Sequence, residues 1–164
     1  MNLDDESHIE ESENGVFLDL PAAHSEGRMA RQVLRKFAEV RGMLEREIET
    51  LELVASELLG NAVDHGGGGA AMERSDVVGK VRMRLTLQVQ ADGWKLAVAD
   101  EGGAQPADVK DLIDPEGFPD LEDERGRGFF LMKSMVDSLH VEKSADGRGL
   151  SFIAERKFES GSKG

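Results

Sequence analysis

The chain has 164 residues, no cysteine and a net charge of -13, so it fits a single domain without disulfides or thiolate metal sites. The acidic balance argues against direct binding of nucleic acid, which requires a basic face. No apolar run approaches the roughly 20 residues that span a bilayer, and the acidic start Met1–Glu6 is unlike a signal peptide, so we expect a cytoplasmic protein without a membrane segment.

The N-terminal part of the chain is predicted to contain a tail, a strand and a helix. Residues 1–14 are rich in Asp and Glu and poor in apolar side chains, which predicts a mobile, disordered tail. Residues 15–20 are typical of a short strand. From about residue 25 to residue 40, apolar residues recur at helical spacing and indicate an amphipathic helix.

A second helix is predicted over residues 44–64. Its inner side is predicted to carry Ile48, Leu51, Val54, Ala55, Leu58, Leu59 and Ala62. The helix is also strongly acidic, and we expect four of its glutamates to be ordinary surface residues: Glu45, Glu47, Glu49 and Glu52.

Two strands are predicted after a glycine-rich segment. Residues 66–79 combine glycines and charges and are predicted to be a flexible loop. Residues 81–89 alternate with a period of two, which indicates a half-buried strand. The turn signal at residues 91–93 predicts a hairpin with a further strand over 94–99.

The last third of the chain begins with a segment that contains three prolines and many acidic residues, 105–124, which we expect to be a lid or connector and not a core element. A helix is predicted over residues 128–138. Two short strands, 140–143 and 150–157, are predicted to close the chain.

Helices gathered early and antiparallel strands placed later imply an α+β fold, a two-layer sandwich with helices covering one face of a sheet. The domain is expected to span residues 15–158. An acidic tail would precede it, and a short C-terminal tail, residues 159–164, would follow it.

Glu57 and Asn61 project from one face of the second helix because they are four residues apart. A carboxylate that accepts a proton, beside an amide oxygen that binds a hard cation, suits Mg-nucleotide chemistry. The pair also has a plainer reading, since polar residues on a helix face are commonly just solvated and an Asn near a helix end can cap its own turn.

Two glycine-bearing segments follow downstream. The first, Asp100-Glu101-Gly102-Gly103, ends an apolar strand, and the second, Arg125-Gly126-Arg127-Gly128, opens an amphipathic helix. Glycines before a helix let backbone N–H groups point at a phosphate, aided by the positive end of the helix dipole. Taken singly, the two segments also read as an ordinary strand-ending turn and as a glycine turn with two solvated arginines.

In this order and spacing, the three segments resemble the N, G1 and G2 boxes of the GHKL ATPase superfamily. The string Gly-Arg-Gly-Phe-Phe-Leu-Met-Lys-Ser-Met-Val-Asp, residues 126–137, is most similar to the bacterial anti-sigma factor serine kinases. The resemblance covers about residues 15–158 and implies the Bergerat fold, with ATP and Mg²⁺ as cofactors. It also implies phosphorylation of an anti-anti-sigma (STAS-type) partner, sequestration of a sigma factor, and the homodimer that members commonly form.

The resemblance assigns a role to each matching residue. Glu57 matches the general base that takes the proton of a partner's serine, and Asn61 matches the Mg²⁺ ligand. Asp100 matches the carboxylate that accepts a hydrogen bond from the adenine amino group, and Gly102 lets the backbone approach the base.

The G2 box supplies the remaining predicted site residues. Gly126 and Gly128 match the glycines that expose backbone amides to phosphate. Arg125 and Arg127 lie close enough in sequence to add positive charge to a phosphate or to contact a partner.

The chain departs from the family pattern at two places. Ala104 stands where the pattern Asp-x-Gly-x-Gly has its second glycine, and Gly103 could compensate by shifting the turn by one residue. The Gly-Thr pair that often precedes the last strand is replaced by residues 147–150, which contain no threonine; a water or Thr86 could substitute for the hydroxyl.

Two alternatives remain open at the level of sequence. A nucleotide-responsive anti-sigma module without phosphotransfer would fit the two departures, although retention of Glu57 argues against it. The ATP-binding domain of a sensor histidine kinase is the other alternative, but nothing in the chain resembles a dimerisation helix with a phospho-accepting histidine.

Overall fold

The protein is described by a computed structural model that covers residues 6–117 and 120–158. Its strands are β1 (His8–Glu11), β2 (Gly15–Pro21), β3 (Arg82–Gln90), β4 (Gly93–Ala99), β5 (Ser138–Lys143) and β6 (Leu150–Lys157). Its helices are α1 (His24–Val40), α2 (Glu45–Asp64), α3 (Pro106–Ile113) and α4 (Glu124–Met135). The strands form one antiparallel sheet in the order β1-β2-β3-β4-β6-β5, which confirms the predicted α+β class.

One face of the sheet forms the core because its strands alternate apolar and polar residues with a period of two. The buried side chains on this face include Val16, Leu18, Leu20, Met83, Leu85, Leu87, Leu96, Val98, Phe152 and Ala154. Helices α1 and α2 pack on them and on each other. Within the described ranges, no helix is both long and apolar enough to cross a membrane.

Helix α2 buries all seven of the residues that its periodicity assigns to the inner side. The prediction of a surface position is nevertheless wrong for one of the four glutamates. Glu47 is fully buried, and its carboxylate accepts hydrogen bonds from Nε (2.7 Å) and Nη2 (2.9 Å) of Arg156 on β6. The reason is its place in the helix, because Glu47 lies one turn before Leu51 and therefore faces the sheet.

Strand β1 lies within the segment that its composition identifies as a mobile tail, so that prediction is wrong for residues 8–11. The strand pairs with β2 along its whole length although all four of its side chains are exposed. Next to it, Arg41 at the end of α1 donates to the carbonyl oxygens of Ser12 (2.8 Å) and Glu13 (2.6 Å). Backbone pairing at a sheet edge leaves no apolar pattern in the sequence, which explains the error.

Helix α3 corrects the prediction that residues 105–124 are only a lid or connector. Its Val109 and Ile113 side chains belong to the hydrophobic core. Pro106 is the first residue of the helix, where a proline is well tolerated, and Gln105 and Asp108 form a reciprocal capping box. Residues 66–79 form the predicted loop, with a short 3-10 turn at Arg74–Asp76. The C-terminal tail at 159–164 lies outside the described residues.

Candidate functional site

Asp100 follows the last residue of β4 and is 5% exposed. Its Oδ1 accepts hydrogen bonds from the backbone amides of Gly102 and Leu150, both at 3.1 Å. Burial raises the pKa of Asp100 above the ordinary aspartate value of 3.8, and these two amides oppose that shift. Both hydrogen bonds are accepted by Oδ1, so the carboxylate is fixed through one of its two oxygen atoms.

The Asp100 side chain lies between two glycine backbones that sequence reasoning did not assign to the site. An ideal Cβ on Gly66 would lie 2.6–2.7 Å from the Asp100 side chain, and one on Gly149 would overlap Oδ1 and the carbonyl oxygen. Gly102 packs in the same way against the Gly66 backbone. Close approach of three chain segments therefore requires glycine at all three positions. In the sequence, Gly66 and Gly149 could be recognised only as glycines, and a glycine alone does not indicate a close contact with a functional side chain.

The departures from the family pattern have visible structural consequences. Thr86 cannot substitute for the missing threonine, because it is opposite Ala97 in the sheet and shares its outer face, whereas Asp100 continues the buried alternation of Leu96 and Val98. The Leu150 amide contacts the carboxylate instead. Gly103 adopts a left-handed φ of 79°, and Ala104 packs against the core, so the turn accommodates alanine at this position.

Glu57 and Asn61 lie one turn apart on α2, and both are partly buried. The Glu57 carboxylate reaches α4, because an ideal Cβ on Gly128 would lie 2.6 Å from Oε2. Because Gly128 has no side chain, the Glu57 carboxylate can occupy the space next to it. Among the described residues, no three His, Asp or Glu side chains gather into a metal-binding group. A Mg²⁺ ion at Asn61 would therefore take its other ligands from phosphate and water, as this ion commonly does.

Helix α4 begins four residues earlier than predicted and ends at Met135, so Gly126 and Gly128 lie inside the helix and not before it. The early start has a local cause, since Asp123 caps the helix and its Oδ1 accepts from the amides of Arg125 (2.9 Å) and Gly126 (3.2 Å). Two glycines in a helix each cost about 1 kcal/mol relative to alanine. A Cβ at Gly128 would displace the Glu57 carboxylate, and one at Gly126 would lie only 3.2 Å from the Asp120 carbonyl oxygen.

Arg125 is the G2 residue that the structure brings to the Asp100 side of the site. Burial lowers the pKa of its guanidinium, and the charges of Asp100 and Asp123 partly restore it. Its Nε is buried and has no hydrogen-bond partner in the described part of the chain. A buried, unsatisfied donor is costly, and an anionic ligand would supply the missing acceptor. Arg127 is exposed and donates to the Leu121 carbonyl oxygen at 3.2 Å, away from this group.

The residues present therefore fit a nucleotide. One end of the arrangement offers a buried carboxylate among glycines, and the other offers the Glu57–Asn61 pair beside the first turns of α4. A partly buried arginine with a free Nε donor carries positive charge toward the carboxylate. A ligand with a hydrogen-bond donor on its base and negative charge on its phosphates matches this distribution.

Comparison with known proteins finds matches that cover most of the chain. The model of a family described as histidine kinase-like ATPase domain matches residues 20–154. An anti-sigma F factor of Clostridium acetobutylicum is 27% identical over 151 residues, covering 89% of this chain and 95% of that protein. The serine-protein kinase RsbW of Bacillus subtilis is 31% identical over 131 residues, 77% of each chain, and that of Bacillus licheniformis is 30% identical over 118 residues, 68% of each.

Among solved structures, a chain of the SiaB–SiaC complex from Pseudomonas aeruginosa has a TM-score of 0.59 to this protein. The match covers 87% of this chain and 89% of that chain, at 11% sequence identity. At this identity the likeness supports the fold alone.

Proposed function

Because the chain belongs to the histidine kinase-like ATPase family and resembles its anti-sigma kinase branch, we propose that it is an ATP- and Mg²⁺-dependent serine protein kinase. The observation that carries the proposal is the Glu57–Asn61 pair, held beside α4 by the contact between Glu57 and Gly128. A protein that only binds nucleotide has no need of a carboxylate at this place.

Each residue has a defined task in the proposed reaction. Asp100 accepts a hydrogen bond from the adenine amino group, and Arg125, on the same side of the site, supplies positive charge to the nucleotide. The Asn61 side-chain oxygen is a ligand for Mg²⁺, which neutralises phosphate charge when it is bound. Glu57 takes the proton of the serine hydroxyl while the serine oxygen forms the new bond to the γ-phosphorus. The bond from that phosphorus to the β,γ-bridging oxygen breaks, and ADP leaves with the electron pair.

The proposed substrate is a serine on a small anti-anti-sigma (STAS-type) protein, and the proposed second partner is a sigma factor. The names of the relatives support this choice, since one is an anti-sigma factor and two are serine-protein kinases. The two activities form a switch, in which phosphorylation of the antagonist releases the kinase to hold the sigma factor. The net charge of -13 is consistent with protein partners and not with direct contact to nucleic acid.

A second candidate function is an anti-sigma module that responds to nucleotide without phosphotransfer. Ala104 and the missing threonine of the Gly-Thr pair favour it, because both depart from the family pattern around adenine. The two candidates differ in one measurable property, which is transfer of the γ-phosphate to serine.

The test compares Glu57→Gln with wild type in transfer of labelled γ-phosphate from ATP to the STAS-type partner. General bases contribute about 10²–10⁴ in rate, so we expect at least a hundredfold loss of transfer with ATP affinity unchanged within a factor of three. Glu49→Gln, an exposed glutamate on the same helix, is the matched control and should behave as wild type. Undiminished transfer by Glu57→Gln would remove Glu57 from the mechanism, and no transfer by wild type would favour the second candidate.

A further inference from the structure

The turn between β5 and β6, residues 144–149, is closed by hydrogen bonds that converge on Ser144. The Ser144 amide donates to the Gly149 carbonyl oxygen (2.9 Å), and the Gly149 amide donates to Ser144 Oγ (3.1 Å). Gly147 donates to the Ser144 carbonyl oxygen at 2.9 Å. Ser144 is 6% exposed, so this hydroxyl is a buried polar group whose partners lie within the turn.

Asp146 completes the turn from its exposed side. Its Oδ1 accepts from the Ser144 hydroxyl (2.8 Å) and from the Arg148 amide (2.9 Å), while Oδ2 accepts from Arg84 on β3 (2.8 Å). The Arg148 amide and the Ser144 hydroxyl lower the pKa of Asp146 to about 2. The carboxylate is therefore ionised at neutral pH and joins the turn to Arg84 on β3.

This turn touches the Asp100 segment at several points. Gly149 packs directly on the Asp100 carboxylate, and the next amide, that of Leu150, donates to Oδ1. The Gly103 amide donates to the Arg148 carbonyl oxygen at 2.9 Å, and Lys143 Nζ donates to the Ala104 carbonyl oxygen at 3.0 Å. A change in the path of the turn would therefore move the amide that fixes the carboxylate.

We propose that Ser144 and Asp146 are positioning residues for base recognition: they fix the β5–β6 turn so that Leu150 holds the Asp100 carboxylate where an adenine amino group meets it. The inference rests on the proposed nucleotide-binding function. The proposed role of both residues is indirect and involves no contact with the nucleotide. In this arrangement the Leu150 amide orients the Asp100 carboxylate, and the Ser144 and Asp146 side chains orient that amide by fixing the turn.

The matched pair of variants is Asp146→Ala and Asp146→Asn. Asparagine keeps an Oδ1 acceptor for Ser144 and Arg148 and loses only the Oδ2 acceptor for Arg84, whereas alanine removes both. Because Asp146 is exposed, neither change threatens the fold. Ser144→Ala removes the buried hydroxyl, and Ser144→Thr restores it. Asp92→Ala, an exposed aspartate in the hairpin at the opposite end of β4, controls for loss of surface charge.

The readout is binding of Mg-ATP and, by competition, of Mg-GTP, whose base offers no amino group at the adenine position. We expect Asp146→Ala and Ser144→Ala to weaken ATP binding about tenfold, the size of one or two lost hydrogen bonds, and to leave GTP binding unchanged. Asp146→Asn, Ser144→Thr and Asp92→Ala should keep the wild-type ratio of ATP to GTP affinity.

Several results would overturn the inference. Equal weakening of ATP and GTP in Asp146→Ala would show a general structural role. Wild-type ATP affinity in both alanine variants would show that the turn does not position Asp100, while the nucleotide site itself would stand. Wild-type protein that binds neither nucleotide would reject the proposed function and this inference together.

Discussion

Gly128→Ala is expected to impair phosphotransfer without loss of the fold or of ATP binding. The added Cβ would lie 2.6 Å from Glu57 Oε2, and ordinary contacts begin at 3.4 Å, so the carboxylate must withdraw by about 0.8 Å (3.4 minus 2.6). The obstacle is the far end of a flexible side chain, which can move. The proposed base would therefore leave its position while α2 and α4 stay packed.

The magnitude follows from two opposing effects on stability and one on rate. Alanine in place of a helical glycine stabilises by roughly 0.5–1 kcal/mol, and a displaced rotamer costs about 0.5–1.5 kcal/mol. The free energy of unfolding should thus change by less than about 1 kcal/mol. A misplacement near 1 Å can cost about 10²-fold in rate, so we expect transfer to serine to fall roughly 10- to 100-fold.

The assay measures transfer of labelled γ-phosphate, ATP affinity by calorimetry and unfolding in urea for each variant. Gly60→Ala is the matched control, since it lies on α2 and an ideal Cβ there has no neighbour within 4 Å. Transfer at the wild-type rate by Gly128→Ala would show that the space at Gly128 does not set the position of Glu57. A parallel loss of ATP affinity would also contradict the prediction, because Gly128 would then serve the phosphate site and not Glu57.

Two further predictions concern buried carboxylates. Glu47→Ala removes the buried carboxylate that accepts two hydrogen bonds from Arg156 and should lower the free energy of unfolding by about 3–5 kcal/mol. Glu49→Ala should change it by less than about 0.5 kcal/mol, and urea unfolding distinguishes the two variants. Asp100, observed by carbon NMR, should titrate above pH 3.8, because burial favours its protonated form. Since adenine binds the ionised carboxylate, saturating ATP should lower that pKa, and an Asp100 that titrates at or below 3.8 in the free protein would contradict the description of its environment.

Regular apolar periodicity made much of the fold predictable from the sequence. Helix α2 was predicted with its buried residues because seven apolar side chains repeat at helical spacing, and β3 was predicted because its residues alternate. Strand β1 left no such pattern, since an edge strand with exposed side chains is held by its backbone alone. Glu47 was also mispredicted, because a charged residue type indicates a surface position although this residue faces the core.

Residue type and sequence pattern can nominate candidate side chains for the site, but they cannot nominate backbone groups. Glu57 and Asn61 could be paired from residue type and helical spacing, Asp100 was chosen through the family resemblance, and the roles of all three stay predictions. Gly149 and the Leu150 amide could not be predicted from the sequence. Gly149 contributes a close approach of the backbone and Leu150 contributes its N–H group, and residue type reveals neither. The start of α4 was misplaced for a related reason, as the Asp123 cap outweighs the low helix propensity of the two glycines that follow.

The measurement that tests the central claim most directly is calorimetric titration of the protein with ATP, with and without Mg²⁺, repeated with Asn61→Ala. We expect Mg²⁺-dependent binding to wild type and weaker binding to the variant, with the Mg²⁺ dependence lost. Absence of binding to wild type at millimolar ATP would contradict this expectation, and so would a variant whose binding keeps the full dependence on Mg²⁺.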